Sequence, residues 1–249
     1  MPYIEAITIA GKTVEIEKYF TFQVKPKGMK RDGKQEESKD AQKRLNTRYA
    51  ERTLRRLMNA NFQGGDYHLI LGYKRGRDDP YRTADEMKAD VQLFFRKLRK
   101  EYKKLGKELK YIQVAEVGER GARHHHVVLN KIDTDILQKC WPFGRVQIYP
   151  LDDSGQYAEL AAYFIKYTDK YMNTDKATQS KRWNCSRNLV RPVTKKRVIS
   201  GSNVFRTEPK EKKGYYLDKD SVYKGISEFT GYAYFTYTLI ELESQRLRI

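Results

Sequence analysis

Cysteine is scarce: the 249 residues hold two, Cys140 and Cys185, with no C-x-x-C pair. That removes a zinc ribbon and a disulfide framework from consideration. Long apolar runs are also lacking. Nothing approaches the roughly 18 consecutive apolar residues of a membrane-spanning helix, so no membrane partner is expected. The opening "MPYIEAITIAGK" does not have the charged-then-apolar order of a signal peptide, and the expected location is the cytoplasm. There is no internal repeat and no G-x-x-x-x-G-K-[ST] phosphate loop, which excludes a P-loop helicase or NTPase motor. Histidine is rare too, yet three of the 4 in the chain are adjacent.

What is abundant is positive charge. Lys and Arg number 50 against 32 Asp and Glu, a net charge of +18. Clustered cations gain affinity for a phosphate backbone by releasing its condensed counterions, so a nucleic-acid partner is the first expectation. The 39% hydrophobic fraction, with 12% aromatics, is enough to bury a core. The length fits one domain with appendages.

Residues 1–24 alternate as a strand or hairpin, most clearly in "TVEIEKYFTFQV" (13–24), and residues 25–44 lose apolar periodicity and read as an exposed basic linker. From Ala41 to Asn61 the pattern is helical, with Ala50, Leu54, Leu57 and Met58 on one face and arginines largely elsewhere. "DYHLILGY" (66–73) has the length of a buried strand. The helix that follows opens on a capping box, Thr83 to Glu86. It keeps Met87, Val91, Phe94, Phe95, Leu98 and Leu105 on one side and stops at Gly106. "KYIQVAEV" (110–117) and "HHHVVLN" (124–130) form a predicted hairpin, then come a helix over Thr134–Cys140, a strand over 145–151 and a helix over 154–172. The order β-α-β-β-α-β predicts an α+β fold with a ferredoxin-like sheet. The domains expected are a strand, basic linker and basic helix over 1–62, a core over 63–172, and a basic C-terminal extension over 173–249 packed on the core. In that extension, "KRWNCSRNLVRP" (181–192) mixes a tryptophan with cations, as single-strand binding does, and 228–242 reads as a late strand or hairpin.

The candidate chemistry lies in the predicted hairpin. A strand alternates its side chains, so His124 and His126 point to one face and His125 to the other. Folding about residues 119–122 brings Glu116 near the pair. Two imidazoles and a carboxylate leave open positions on a divalent ion, as in a catalytic site rather than a closed structural one. On the last helix Tyr157, Leu160, Ala161, Phe164, Ile165 and Thr168 form the apolar stripe. Tyr163, Lys166, Tyr167 and Lys170 fall outside it, and Tyr163 and Tyr167, four apart, share a flank. A phenol with a pKa of about 10 is a weak nucleophile unless cations favour its ionised form. Neighbouring lysines supply such cations, and a metal polarises a phosphate oxygen, so the set points to phosphodiester transesterification.

"VAEVGERGARHHHVVL" followed by "LAAYFIKYTDK" resembles the second and third motifs of the HUH endonucleases, specifically the rolling-circle replication initiators of single-stranded DNA phages and bacterial plasmids or integrated elements. The resemblance covers about Asp66 to Lys170. It implies a ferredoxin-like nuclease that uses Mg2+ or Mn2+ to nick a single-stranded DNA origin, a hairpin or stem-loop, through a 5′-phosphotyrosine link. A host helicase and polymerase would complete replication. By the same resemblance His124, His126 and Glu116 would be the metal ligands, Tyr163 the nucleophile, Lys166 the lysine of a Y-x-x-K motif and Tyr167 the second tyrosine of two-tyrosine forms. The residue between the ligand histidines is usually hydrophobic in the family and is His125 here. The first motif would fall in "YHLILGY", where His68 is either a further site residue or a buried polar one, the second being the preferred reading. The alternatives are a single-strand transposase or relaxase with the same chemistry, and a non-catalytic basic nucleic-acid-binding protein.

Overall fold

The computed structural model describes residues 3–21, 39–74, 81–118, 121–171, 181–200, 208–227 and 231–242. Most of the expected basic linker lies outside these, as do Glu119 and Arg120 of the hairpin turn and residues 228–230. The chain divides into two compact units, residues 47–190 and residues 1–46 with 191–249.

In the unit of residues 47–190, the elements are helix α1 (Lys39–Asn61), which enters it from the N-terminal side, strand β3 (Tyr67–Gly72), helix α2 (Ala84–Lys104), strands β4 (Tyr111–Val117) and β5 (Arg123–Leu129), helix α3 (Thr134–Cys140), strand β6 (Val146–Pro150), helix α4 (Ala158–Tyr171) and the short strand β7 (Asn184–Cys185). The sheet order is β6-β3-β5-β4-β7, antiparallel throughout. Its first four strands have the order that a βαββαβ chain takes when each helix crosses over one strand, and the fold is α+β as expected. That order puts β5 in the middle, which is why Val127, Val128 and Leu129 are all fully buried.

Alternation along the strands makes two cores. Ile112, Val114 and Val128 pack with Leu54 and Met58 of α1 and Ala161, Phe164 and Ile165 of α4. Leu69, Leu71, Val127 and Leu129 pack on the other face with Phe94 and Leu98 of α2 and Leu137 of α3. Each large side chain so buried contributes roughly 1.5–3 kcal/mol.

Local signals set the helix ends. Thr83 and Glu86 form the complete capping box, and Gly106, with φ of 64°, follows the last turn of α2. Leu105, expected on the apolar side, is exposed because it caps the helix and leaves its phase; Tyr102 is buried instead. Helix α4 begins at Ala158 rather than 154, because Gly155 has φ of 67°, a conformation no right-handed helix contains.

The other unit is a second antiparallel sheet. Its strands are β1 (Tyr3–Ala10), β2 (Thr13–Phe20), β8 (Thr194–Ile199), β9 (Tyr215–Ile226) and β10 (Ala233–Glu241), in the order β8-β1-β2-β10-β9. The N-terminal hairpin turns at Gly11, with φ of 57°. Val14, Ile16, Phe235, Tyr237 and Leu239 build the core on one face.

Candidate metal centre

The β4–β5 register pairs Glu116 directly with His124 and Val114 with His126. These residues share one sheet face, so the carboxylate reaches both imidazoles. Glu116 Oε2 lies 2.7 Å from His126 Nε2 and 3.2 Å from His124 Nε2. The turn closes through a hydrogen bond from Gly118 N to Ala122 O of 2.7 Å, with Gly121 at φ of 80°. His125 points to the opposite face, against Trp141.

Burial is graded across the cluster. His126 is 1% and Glu116 5% exposed, whereas the His124 side chain is 20% and Tyr163 36% exposed. The site is therefore anchored in the sheet and open at the edge where α4 runs. Tyr163 projects from that helix with Oη 3.5 Å from His126 Nε2. The next residue, Phe164, is fully buried with its ring 5.6 Å from that of His126, which fixes the helix against the site. The Tyr167 ring lies 4.6 Å from that of Tyr163, while Lys166 and Lys170 lie exposed on the same helix.

The electrostatics suit a cation. Burial alone would raise the Glu116 carboxyl, but the hydrogen bonds from His124 and His126 outweigh it and hold the pKa at about 2. Burial lowers the pKa of His126 despite its bond to Glu116, so the ring is neutral, as ligation requires. The Tyr163 phenol is pushed up by burial, by the charge of Glu116 and by Tyr167. A cation at the cluster would reverse the Glu116 contribution.

The ligand atoms of Glu116, His124 and His126 all lie within 4.8 Å of one another. Donors about 2.1 Å from a common ion lie within about 4.2 Å of each other, so small side-chain adjustments close these three around one. An acidic oxygen with two imidazole nitrogens fits a divalent metal. Among the described residues this is the one such cluster.

Sequence reasoning left His68 between a further site residue and a buried polar one, and preferred the second. Its Nε2 lies 3.0 Å from His126 Nδ1, and the two rings are within 25° of coplanar. Burial and the neighbouring His126 hold its pKa at about 4. The pairing of Ile70 with His126 across β3 and β5 was the missing signal, because it sets His68 two positions along on the same face.

The comparisons with known proteins fall on this unit. Residues 66–172 match the family model for Replication-associated protein ORF2/G2P. That segment is similar to the ORF2/G2P family of replication-associated proteins. The ORF2/G2P segment contains β3 through α4, and with them Glu116, His124, His126, Tyr163, Lys166, Tyr167 and Lys170. That similarity suggests an enzyme of the replication-initiator type and a DNA partner. No curated protein and no solved structure matched the chain. Among the described residues no helix is long and apolar enough to cross a membrane.

Proposed function

We propose that the protein is a metal-dependent, site-specific single-stranded DNA endonuclease and ligase that initiates rolling-circle replication through a 5′-phosphotyrosine intermediate. The observation that carries the reading is the approach of Tyr163 Oη to within 3.5 Å of His126 Nε2, at the open edge of the cluster and inside a replication-associated domain.

Glu116, His124 and His126 would hold Mg2+ or Mn2+, and such an ion supplies Lewis-acid polarisation of a non-bridging phosphate oxygen. The rest belongs to the chain. Packing of Phe164 holds Tyr163 at the open edge, so that a phosphate bound there would meet the phenol with much of the entropic cost of attack removed. Tyr163 Oη bonds to phosphorus as its proton passes to water. The bond from phosphorus to O3′ breaks, and O3′ takes up a proton to leave the hydroxyl that primes synthesis. One phosphodiester is exchanged for another, so the reverse attack by a 3′ hydroxyl rejoins the strand. Lys166, one helical turn from Tyr163, and Lys170, one turn from Tyr167, offset charge building on the phosphate. Tyr167 is placed to serve a second cleavage. The substrate is an origin exposed as a hairpin or stem-loop. Unwinding and polymerisation are assigned to a host helicase and polymerase, as the resemblance to rolling-circle initiators implies.

The test is incubation with a pool of single-stranded DNA and Mn2+. A denaturation-resistant protein–DNA adduct is expected in the wild type and none in Tyr163→Phe. An adduct that survives Tyr163→Phe but is lost in Tyr167→Phe would exchange the two roles. Binding without any adduct, indifferent to metal, would replace the nuclease by a non-catalytic binding protein.

A further inference from the structure

We infer that His68 is a positioning residue for the candidate metal centre, one that keeps His126 hydrogen-bonded both with and without an ion by exchanging donor and acceptor roles. The inference rests on the metal reading above.

A neutral imidazole has one N–H and one lone pair, and whichever nitrogen binds a metal must be the bare one. In the structure His126 Nε2 faces Glu116 Oε2 at 2.7 Å and Nδ1 faces His68 Nε2 at 3.0 Å. An ionised carboxylate only accepts, so the proton of His126 sits on Nε2. Its Nδ1 is then the acceptor, and His68 Nε2 is the donor.

Ligation through Nε2 inverts this. The Nε2 proton of His126 leaves to solvent, Nδ1 takes the proton of His68 Nε2, and His68 gains one on Nδ1 from solvent. The pair holds two protons before and two after. His68 Nε2, now bare, accepts from His126 Nδ1–H. A carboxylate or backbone carbonyl at this position could serve only the ligated state, because it cannot donate. An imidazole serves both. Phe164 packs on the two rings, its centroid 5.6 Å from each, and keeps the nitrogens facing through the exchange. A residue hydrogen-bonded to a ligating histidine in this way orients the ring and is worth about 10–100-fold in metal affinity.

The test uses the full chain and two readouts. Imidazole 15N spectra of the wild type, which has 4 histidines, report the protonated nitrogen of each ring. Without metal the proton is expected on Nε2 of both His68 and His126, and on adding diamagnetic Mg2+ it moves to Nδ1 of both. Rings that keep their tautomers while Mg2+ binds, or a His126 protonated on both nitrogens without metal, overturn the inference and leave the metal reading standing. The second readout is Mn2+ affinity by electron paramagnetic resonance. His68→Leu is expected to weaken it about 10–100-fold. His68→Gln, whose amide both donates and accepts, is expected to restore most of it. Equal affinity in wild type and His68→Leu overturns the inference, and a wild type that binds neither ion overturns the metal reading with it.

Discussion

Gln113 Nε2 lies 3.0 Å from His125 Nδ1, on the sheet face opposite the candidate metal centre. An amide nitrogen can only donate, so His125 carries its proton on Nε2, 3.0 Å from Tyr73 Oη. Asn184 Nδ2 donates to Gln113 Oε1 at 3.1 Å and fixes which way the amide points. The middle histidine is pinned on its own face, and alternation keeps His124 and His126 on the other. A slip of one residue would break this chain of bonds as well as the metal cluster.

Removing the clamp has a defined consequence. Gln113→Leu leaves the buried Nδ1 of His125 without a donor, which costs about 1–3 kcal/mol. Denaturant unfolding is expected to show a lower midpoint at unchanged slope. An unaltered midpoint would mean that the clamp contributes nothing to the register.

Acid sensitivity follows from the same ring. Burial, joined by His124 and His126, holds the His125 pKa at about 3, and His68 lies at about 4. Both are lowered from the ordinary value, so the unfolded chain takes up protons first. The stability they contribute is complete above about pH 6.5 and is lost as the pH falls toward the folded values, at about 1.4 kcal/mol per pH unit for each group. Unfolding free energies measured in EDTA from about pH 7 down to about pH 5 are expected to decline. His125→Leu is expected to flatten the decline by that slope, and a profile parallel to wild type would count against the shifted ring.

Metal binding should register as stability. An ion that binds the folded chain alone adds about 2.7 kcal/mol at a hundredfold excess over its Kd. Mn2+ is therefore expected to raise the wild-type melting temperature, and EDTA to reverse the rise. Glu116→Gln removes the ionised oxygen shared by both imidazoles and is expected to abolish it. A Glu116→Gln protein stabilised as much as wild type would remove Glu116 from the ligand set.

The two tyrosines separate kinetically. Tyr163, 36% exposed, makes few contacts that folding needs, so Tyr163→Phe is expected to melt like wild type. Its nicking of an origin oligonucleotide should fall by about a thousandfold or more, as losing a nucleophile does. Tyr167→Phe should leave the first cleavage nearly intact and slow a second. Equal loss of the first cleavage in both variants would show the pair acting as one unit.

Much of the first unit was legible because its signals are local. The Thr83–Glu86 box, the hairpin glycines and the stripe from Tyr157 to Thr168 each sit within a few residues of what they determine. Glu116, His124 and His126 could be grouped for the same reason: one hairpin carries them all. The second sheet was hidden. The N-terminal hairpin pairs with β8 and β10, with Thr8 opposite Thr194 and Ile16 opposite Tyr237, and no pattern within a short window reports partners so remote. The choice between the two readings of His68 was hidden on similar grounds, since its contact depends on which strand lies beside β3.

All three candidate ligands lie between residues 116 and 126, on two strands joined by a tight turn. Hairpins form in about 1–10 μs, so the grip on an ion can assemble early, before more distant parts of the chain have docked. Tyr163 comes into position only when a helix encoded some forty residues later settles on the sheet. In the proposed reaction the ligands and the nucleophile are thereby written in separate stretches of chain, and mutational drift on the exposed side of the helix, away from Phe164, can retune strand exchange while the ligand set stays as it is.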